Sequence, residues 1–211
     1  MIRYVSRTAI ETDWRCPRAR YYLTEHGGTG CVPAKAADEL TFGTLVHAGL
    51  QDIMNGLAFT GSLIRDEGFS NEAWALAQGL LYGFQLVVLP RLLERYEILH
   101  IEQELSIPLT EDIALLVQPD LLVRDKQNDS YGYIEFKTTK WANVGWVTSW
   151  EKQSQLHAGL RAAREQLGLP FEWAMVQGFH KSQPHKKTGR LQSPLVWAYA
   201  APGDKPLYSV E

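Results

Sequence analysis

The sequence predicts an α/β protein, with a mixed central β-sheet flanked by helices and a helical N-terminal region. Three observations carry that prediction. Apolar residues recur at helical spacing through most of residues 1–96; from 97 to 200 short apolar runs alternate with polar residues; and a helix-like stretch, 149–167, interrupts those runs. At 211 residues with 45% hydrophobic content, the chain can bury one sizeable core, so a single domain over 1–211 is expected.

Residues 6–23 read as a helical turn and then a second helix with Pro17 at its first position, where the missing N–H costs nothing. That helix carries Arg18, Arg20 and Tyr21. An amphipathic surface helix and a basic, aromatic track for nucleic acid fit equally well. Gly27, Gly28 and Gly30 are followed by no Gly-Lys-Ser/Thr, which excludes a phosphate loop and leaves a connector. Residues 41–54 form a helix with Leu50, Ile53 and Met54 on its apolar face and His47 on the core side. A lone histidine there is ordinarily a satisfied core residue. Residues 71–96 read as a scaffold helix, with a kink or break expected at Pro90.

Residues 98–109 alternate as a strand, and the alternation slips near Gln103, which predicts a bulge or irregularity. Glu104 on this strand reads by itself as a solvated residue. Residues 114–123 and 131–138 form a hairpin closed by the Asp-, Asn- and Ser-rich 125–130, whose side chains satisfy turn backbone locally. Lys140, Trp141, Trp146 and Trp150 follow; the tryptophans either cap the core under a loop or offer base-stacking surfaces. Helix 149–167 stops at Gly168 and places Gln153 and His157 on one face. Strands 171–180 and 195–200 close the pattern. The connector between them holds Lys181, Lys186 and Lys187, which is a solvated loop or a grip on backbone phosphate.

The charges inside the hairpin ask for an explanation. Side chains alternate along a strand, so Glu135 and Lys137 share one face while Ile134, Phe136 and Thr138 share the other. Their apolar neighbours imply burial, which costs several kcal/mol per charge unless each is paired or bound. Asp120 follows Pro119 on the neighbouring strand and comes alongside if the register allows. Two carboxylates beside a lysine make a hard oxygen site next to a point cation, and Mg²⁺ favours one or two carboxylates with substrate phosphate oxygens and water. An exposed same-face ion pair is the plainer alternative.

This Pro-Asp…Glu-x-Lys arrangement resembles the PD-(D/E)xK nuclease superfamily, and Gly43-Thr-Leu-Val-His47 resembles the Gly-x-x-x-His helix motif of its RecB-like and CRISPR-adaptation-type exonucleases. The resemblance runs from Gly43 to about His180. It implies a restriction-endonuclease-like core and a metal-dependent deoxyribonuclease acting as an exonuclease, with a silent nucleic-acid-binding or assembly subunit as the alternative. His47, Asp120, Glu135 and the Phe136 backbone carbonyl would bind Mg²⁺ or Mn²⁺, and Lys137 would serve catalysis. The branch carries a glutamine followed four residues later by tyrosine. Gln153 fits with His157 in place of tyrosine, and Gln155 is the competing assignment. The resemblance also makes Glu104 a candidate accessory residue.

Composition bounds the rest. A net charge of −3 excludes a global basic field, so any nucleic-acid contact must be confined to a cleft. No uninterrupted run of about 20 apolar residues appears, and charge interrupts the N-terminus from Arg3, so a cytoplasmic protein with no membrane contact is expected. Cys16 and Cys31 are too few for a four-cysteine iron–sulfur or zinc site, and Cys16 reads as a buried small hydrophobe. DNA, single- or double-stranded, is the expected partner, alone or with a second copy or a recombination or repair protein.

Overall fold

A computed structural model describes residues 2–28, 30–31, 38–56, 70–140, 144–150, 153–181, 195–200 and 208–210. Strand β1 (Arg3–Ser6) leads into helices α1 (Arg7–Arg15) and α2 (Pro17–Arg20), a π-helical turn (Tyr21–Glu25) and a short 3-10 turn (His26–Gly28). Helices α3 (Asp38–Met54), α4 (Asn71–Gly83) and α5 (Leu89–Arg95) follow, with a second π-helical turn, Phe84–Val88, between the last two. Then come β2 (Tyr96–Ile101), β3 (Leu105–Pro108), β4 (Ile113–Val117), β5 (Leu121–Asp125), β6 (Ser130–Thr139), α6 (Val144–Trp150), α7 (Ser154–Leu167), β7 (Phe171–His180), β8 (Leu195–Ala200) and β9 (Tyr208–Val210).

The strands form two mixed sheets rather than the single one expected. Six lie in the order β2-β5-β6-β7-β8-β9, with β6 and β7 parallel and the other pairs antiparallel. Three more lie in the order β1-β4-β3, with β1 and β4 parallel. Two strands read as continuous in the sequence are therefore each broken between sheets. The slip near Gln103 is the point where the chain leaves β2 for β3, and Glu102 turns it with a left-handed φ of 50°. The run 114–123 breaks before Leu121, where Pro119 has no N–H for a ladder. Helix 149–167 likewise splits into α6 and α7, and β1, which alternation did not reveal in four residues, pairs with β4.

The predicted hairpin stands as β5 and β6. Asp125 accepts the Gln127 N–H, Asn128 accepts the Ser130 N–H, and Asp129 takes φ 58°. Asp125 is buried and receives two hydrogen bonds from Arg95, while Lys126 N–H reaches the Arg95 carbonyl, which ties the hairpin tip to the end of α5.

Pro90 does not break the scaffold helix. The Leu89 N–H bonds back to Phe84 across a π turn, and this wider turn absorbs the donor that Pro90 lacks. Among the described residues one helix, the resulting run Ala73–Arg95 with a mean hydropathy of 1.4, is by length and composition apolar enough to cross a membrane. Its Ala77, Leu80, Leu81, Phe84, Val88 and Leu92 lie in the core against α3 residues Leu45, Val46 and Leu50 and against Phe136 and Phe179 of the sheet. A second apolar layer, with Leu156, Leu160 and Ala163 of α7 and Tyr133, Phe171 and Val176, covers the other face. Cys16 is not buried as expected: it is exposed, and its sulfur caps α2 by accepting the Ala19 N–H.

Gly132 sits under the Trp173 ring, where a Cβ would lie 2.2 Å from two ring carbons, and Trp173 is held by a hydrogen bond to Ser130. Gly132→Ala should cost about 1–3 kcal/mol of stability through overpacking. A urea melt with an unchanged midpoint would show that Trp173 moves freely instead.

Candidate metal centre

Asp120 occupies the step just before β5. The β5–β6 register pairs Leu121 with Ile134, which sets Asp120 opposite Glu135. Its side chain is buried and accepts the Phe136 N–H, and its backbone carbonyl accepts the Glu102 N–H at 2.9 Å. An extended residue's N–H and C=O point toward the same neighbouring strand, so the Phe136 carbonyl faces the same gap.

Glu135 is 1% exposed. Its Oε1 receives hydrogen bonds from the Lys137 ammonium and the Gln155 side-chain amide, whereas its Oε2 is buried without a hydrogen-bond partner. Burial raises the Glu135 pKa above the ordinary carboxylate value, and the nearby Asp120 charge adds to that rise. Tyr133 lies two residues earlier on the same face; burial and the Glu135 charge hold its hydroxyl well above pKa 10. Lys137 also sits 5.9 Å from the Trp150 ring centre.

On the other side of Asp120, His47 Nδ1 from α3 approaches Oδ1 at 3.5 Å. Burial disfavours the imidazolium, but the hydrogen bond and charge of Asp120 outweigh it and the pKa is raised. Glu102 completes the group, and ligand atoms of His47, Glu102 and Asp120 all lie within 4.8 Å of one another. Burial, followed by the Asp120 charge, pushes the Glu102 carboxyl up to about 7. Clustered carboxylates, an imidazole and an unpartnered buried carboxylate oxygen suit a hard or borderline divalent cation. A cavity of about 220 Å³ opens beside Glu135 and Gln155, lined by Ser6, Arg7 and Thr8 at the start of α1 and by Gln118.

The structure thus gathers His47, Asp120, Glu135, Phe136, Lys137 and Gln155. It does not gather all the sequence candidates. Glu104 is exposed between the sheets, and Glu102 takes the place near Asp120 that was expected of it. The slipped alternation was the available signal, since a left-handed turn re-aims the residue that makes it. Gln153 precedes α7 as its N-cap and is not on the helix, and His157 points to an exposed surface, so Gln155 is the glutamine at Glu135. With Gln155 in that place the residue four later is Gly159, whose Cβ would lie 2.8 Å from the Tyr133 ring.

Arg20 is committed to Asp13 and Glu25, while Arg18 and Tyr21 are exposed well along the chain from the carboxylates. Lys140 is exposed after β6, and Lys181 lies 4.2 Å from the Phe42 ring centre. Trp146 and Trp150 are half-buried against the α7 layer. Trp141, Lys186 and Lys187 lie outside the described residues.

Asp120 just before β5 faces Glu135 in the middle of β6, with Lys137 two residues further along that strand. The family model of the PD-(D/E)XK nuclease superfamily matches residues 4–195, and the chain belongs to that superfamily. No curated protein matches the chain. The superfamily's divalent-metal chemistry agrees with the donors assembled here.

The raised carboxyls have a consequence for stability. A carboxyl at about 7 in the fold and near 4.3 unfolded favours folding below the lower value, and that contribution disappears as pH rises through the upper one. Metal-free protein should therefore lose melting temperature between about pH 5 and pH 8, and Mn²⁺ or Mg²⁺ should restore more of it at pH 8 than at pH 5. A flat profile without metal would contradict the burial of these charges.

Proposed function

We propose that the protein is a divalent-metal-dependent deoxyribonuclease of the RecB-like branch that degrades DNA from an end. The observation that carries this reading is Glu135, buried opposite Asp120 in the strand register, with Lys137 on one carboxylate oxygen and no hydrogen-bond partner on the other. Such an arrangement burdens a binding module with charge it has no use for. The Gly43-to-His47 spacing on α3 and the Gln155 contact on α7 support the branch, and the exonuclease mode rests on that resemblance.

Asp120 and Glu135, with His47, Glu102 and the Phe136 carbonyl, would hold Mg²⁺ or Mn²⁺. The bound ion would supply Lewis-acid stabilisation of phosphate charge and a more acidic water. An imidazole among the donors suits Mn²⁺ as well as Mg²⁺. Lys137, two residues on from Glu135 along the strand, presents its ammonium where it can hold the attacking water or offset charge on the phosphate. Gln155 fixes one oxygen of Glu135, and the other, which has no hydrogen-bond partner, would be available to the ion. The adjoining cavity would admit the nucleotide next to the scissile bond.

End-labelled single- and double-stranded DNA incubated with Mn²⁺, Mg²⁺ or EDTA tests the reading directly. Degradation should require the metal, release short products from an end, and fall by about a hundredfold or more in Lys137→Ala. DNA bound but uncut under every metal would favour a binding or assembly subunit instead.

Glu102 and Glu104 separate the structural assignment from the sequence one. Glu102→Ala should weaken metal affinity or activity about 10–100-fold, and Glu104→Ala should leave both unchanged. Titration of Mn²⁺ against the two variants measures this, and the reverse pattern would remove Glu102 from the site.

A further inference from the structure

We infer that Trp14 is a stacking platform for an unpaired base of single-stranded DNA, a few nucleotides from the cavity beside the metal centre. The inference rests on the nuclease reading and adds the form of the substrate. It starts from helix α1, whose first turn lines the cavity beside Glu135. Arg7 in that turn donates to Glu11, and Glu11 Oε1 also accepts the Ser154 hydroxyl, each at 3.0 Å. Ser154 begins α7 and immediately precedes Gln155, so α1 is fastened to the helix that orients Glu135.

Residues 7, 11 and 14 follow the i, i+4, i+7 spacing of one helical stripe. The stripe that touches the cavity at Arg7 and α7 at Glu11 therefore continues to Trp14. Trp14 is 84% exposed, an unusual position for a tryptophan that no core contact holds. Seven residues at about 1.5 Å each separate Arg7 from Trp14 by about 10 Å along the helix. An extended single strand spans that distance in a few nucleotides.

The surroundings match a polyanion with exposed bases. Residues 3–26 hold five arginines against three carboxylates in a chain of net charge −3. Glu11, Asp13 and Glu25 are each already paired with an arginine, while Arg15 and Arg18 are exposed beyond Trp14. Tyr21, Tyr22 and His26 form a cluster of rings at 5.4–5.9 Å, with Arg18 5.9 Å above Tyr22. Aromatic faces interleaved with arginine are the means by which proteins track a single strand without reading its sequence. A duplex would offer Trp14 only bases already stacked and paired.

Fluorescence anisotropy in the Lys137→Ala background with Mn²⁺ tests this, because that protein should hold DNA uncut. Trp14→Ala should weaken binding of a single-stranded oligonucleotide about tenfold, consistent with the loss of one stacked base. Blunt duplex of equal length should change less than about twofold, and Trp14→Phe should restore most of the affinity. An abasic site moved along the strand should cost the parent about tenfold at one position within a few nucleotides of the cleaved end, and nothing further in Trp14→Ala. Equal single-strand affinity in parent and Trp14→Ala, or equal loss at every abasic position, would overturn the platform while leaving the nuclease reading intact. A parent that binds neither form of DNA would overturn both.

Discussion

The Glu135 carboxylate is the constraint on which the rest of this structure depends. It lies in the middle of the longest hairpin strand, sealed between two apolar layers, with one oxygen bonded to Lys137 and Gln155 and the other unpartnered. Placing a charge there is costly, and the cost is met only if neighbours supply opposite charge or donors. Lys137 comes from the same strand by alternation, Gln155 from α7, and Asp120 from the turn before β5. The helix packing, the hairpin register and the break at Pro119 all serve to deliver these groups to one point.

The same region is weaker than it would be if built for stability alone. Asp120, Glu102 and Glu135 crowd negative charge into a partly dry space, which is why the carboxyls of Glu102 and Glu135 hold their protons more tightly than free ones. A left-handed Glu102 adds backbone strain at the junction of the two sheets. Strain and like charge gathered in one place, inside a core otherwise well packed, are the signs of a site that a ligand completes.

Much of this was legible in the sequence. The hairpin declared itself through alternation and a turn rich in Asp, Asn and Ser, and the charges within it marked the site because buried charge in a strand demands a reason. His47 was identifiable from its spacing to Gly43. The losses fall at breaks in regular structure. Alternation cannot say that residues 98–109 serve two sheets, since each half obeys the same period, and so the resemblance was placed on Glu104 and Glu102 went unnamed. The start of α7 was misplaced because the helical spacing runs on through residues 151–153, which left Gln153 and Gln155 as competing assignments. Trp14 carried no signal as a surface residue, because a tryptophan in a sequence reads as core.

Local chemistry, period and turn residues are properties of the chain and are read without folding it. By these the sequence alone determined that the protein has a mixed sheet flanked by helices and that Glu135 and Lys137 share a strand face, while Asp120 was joined to them through the family resemblance. Which oxygen of Glu135 is left without a partner, which glutamine reaches it, that Glu102 turns inward and that α1 points from the cavity to Trp14 were decided only in the tertiary structure. Those outcomes depend on register, on the sheet each strand joins and on the angle at which helices pack, and such long-range geometry has no periodic trace in the sequence.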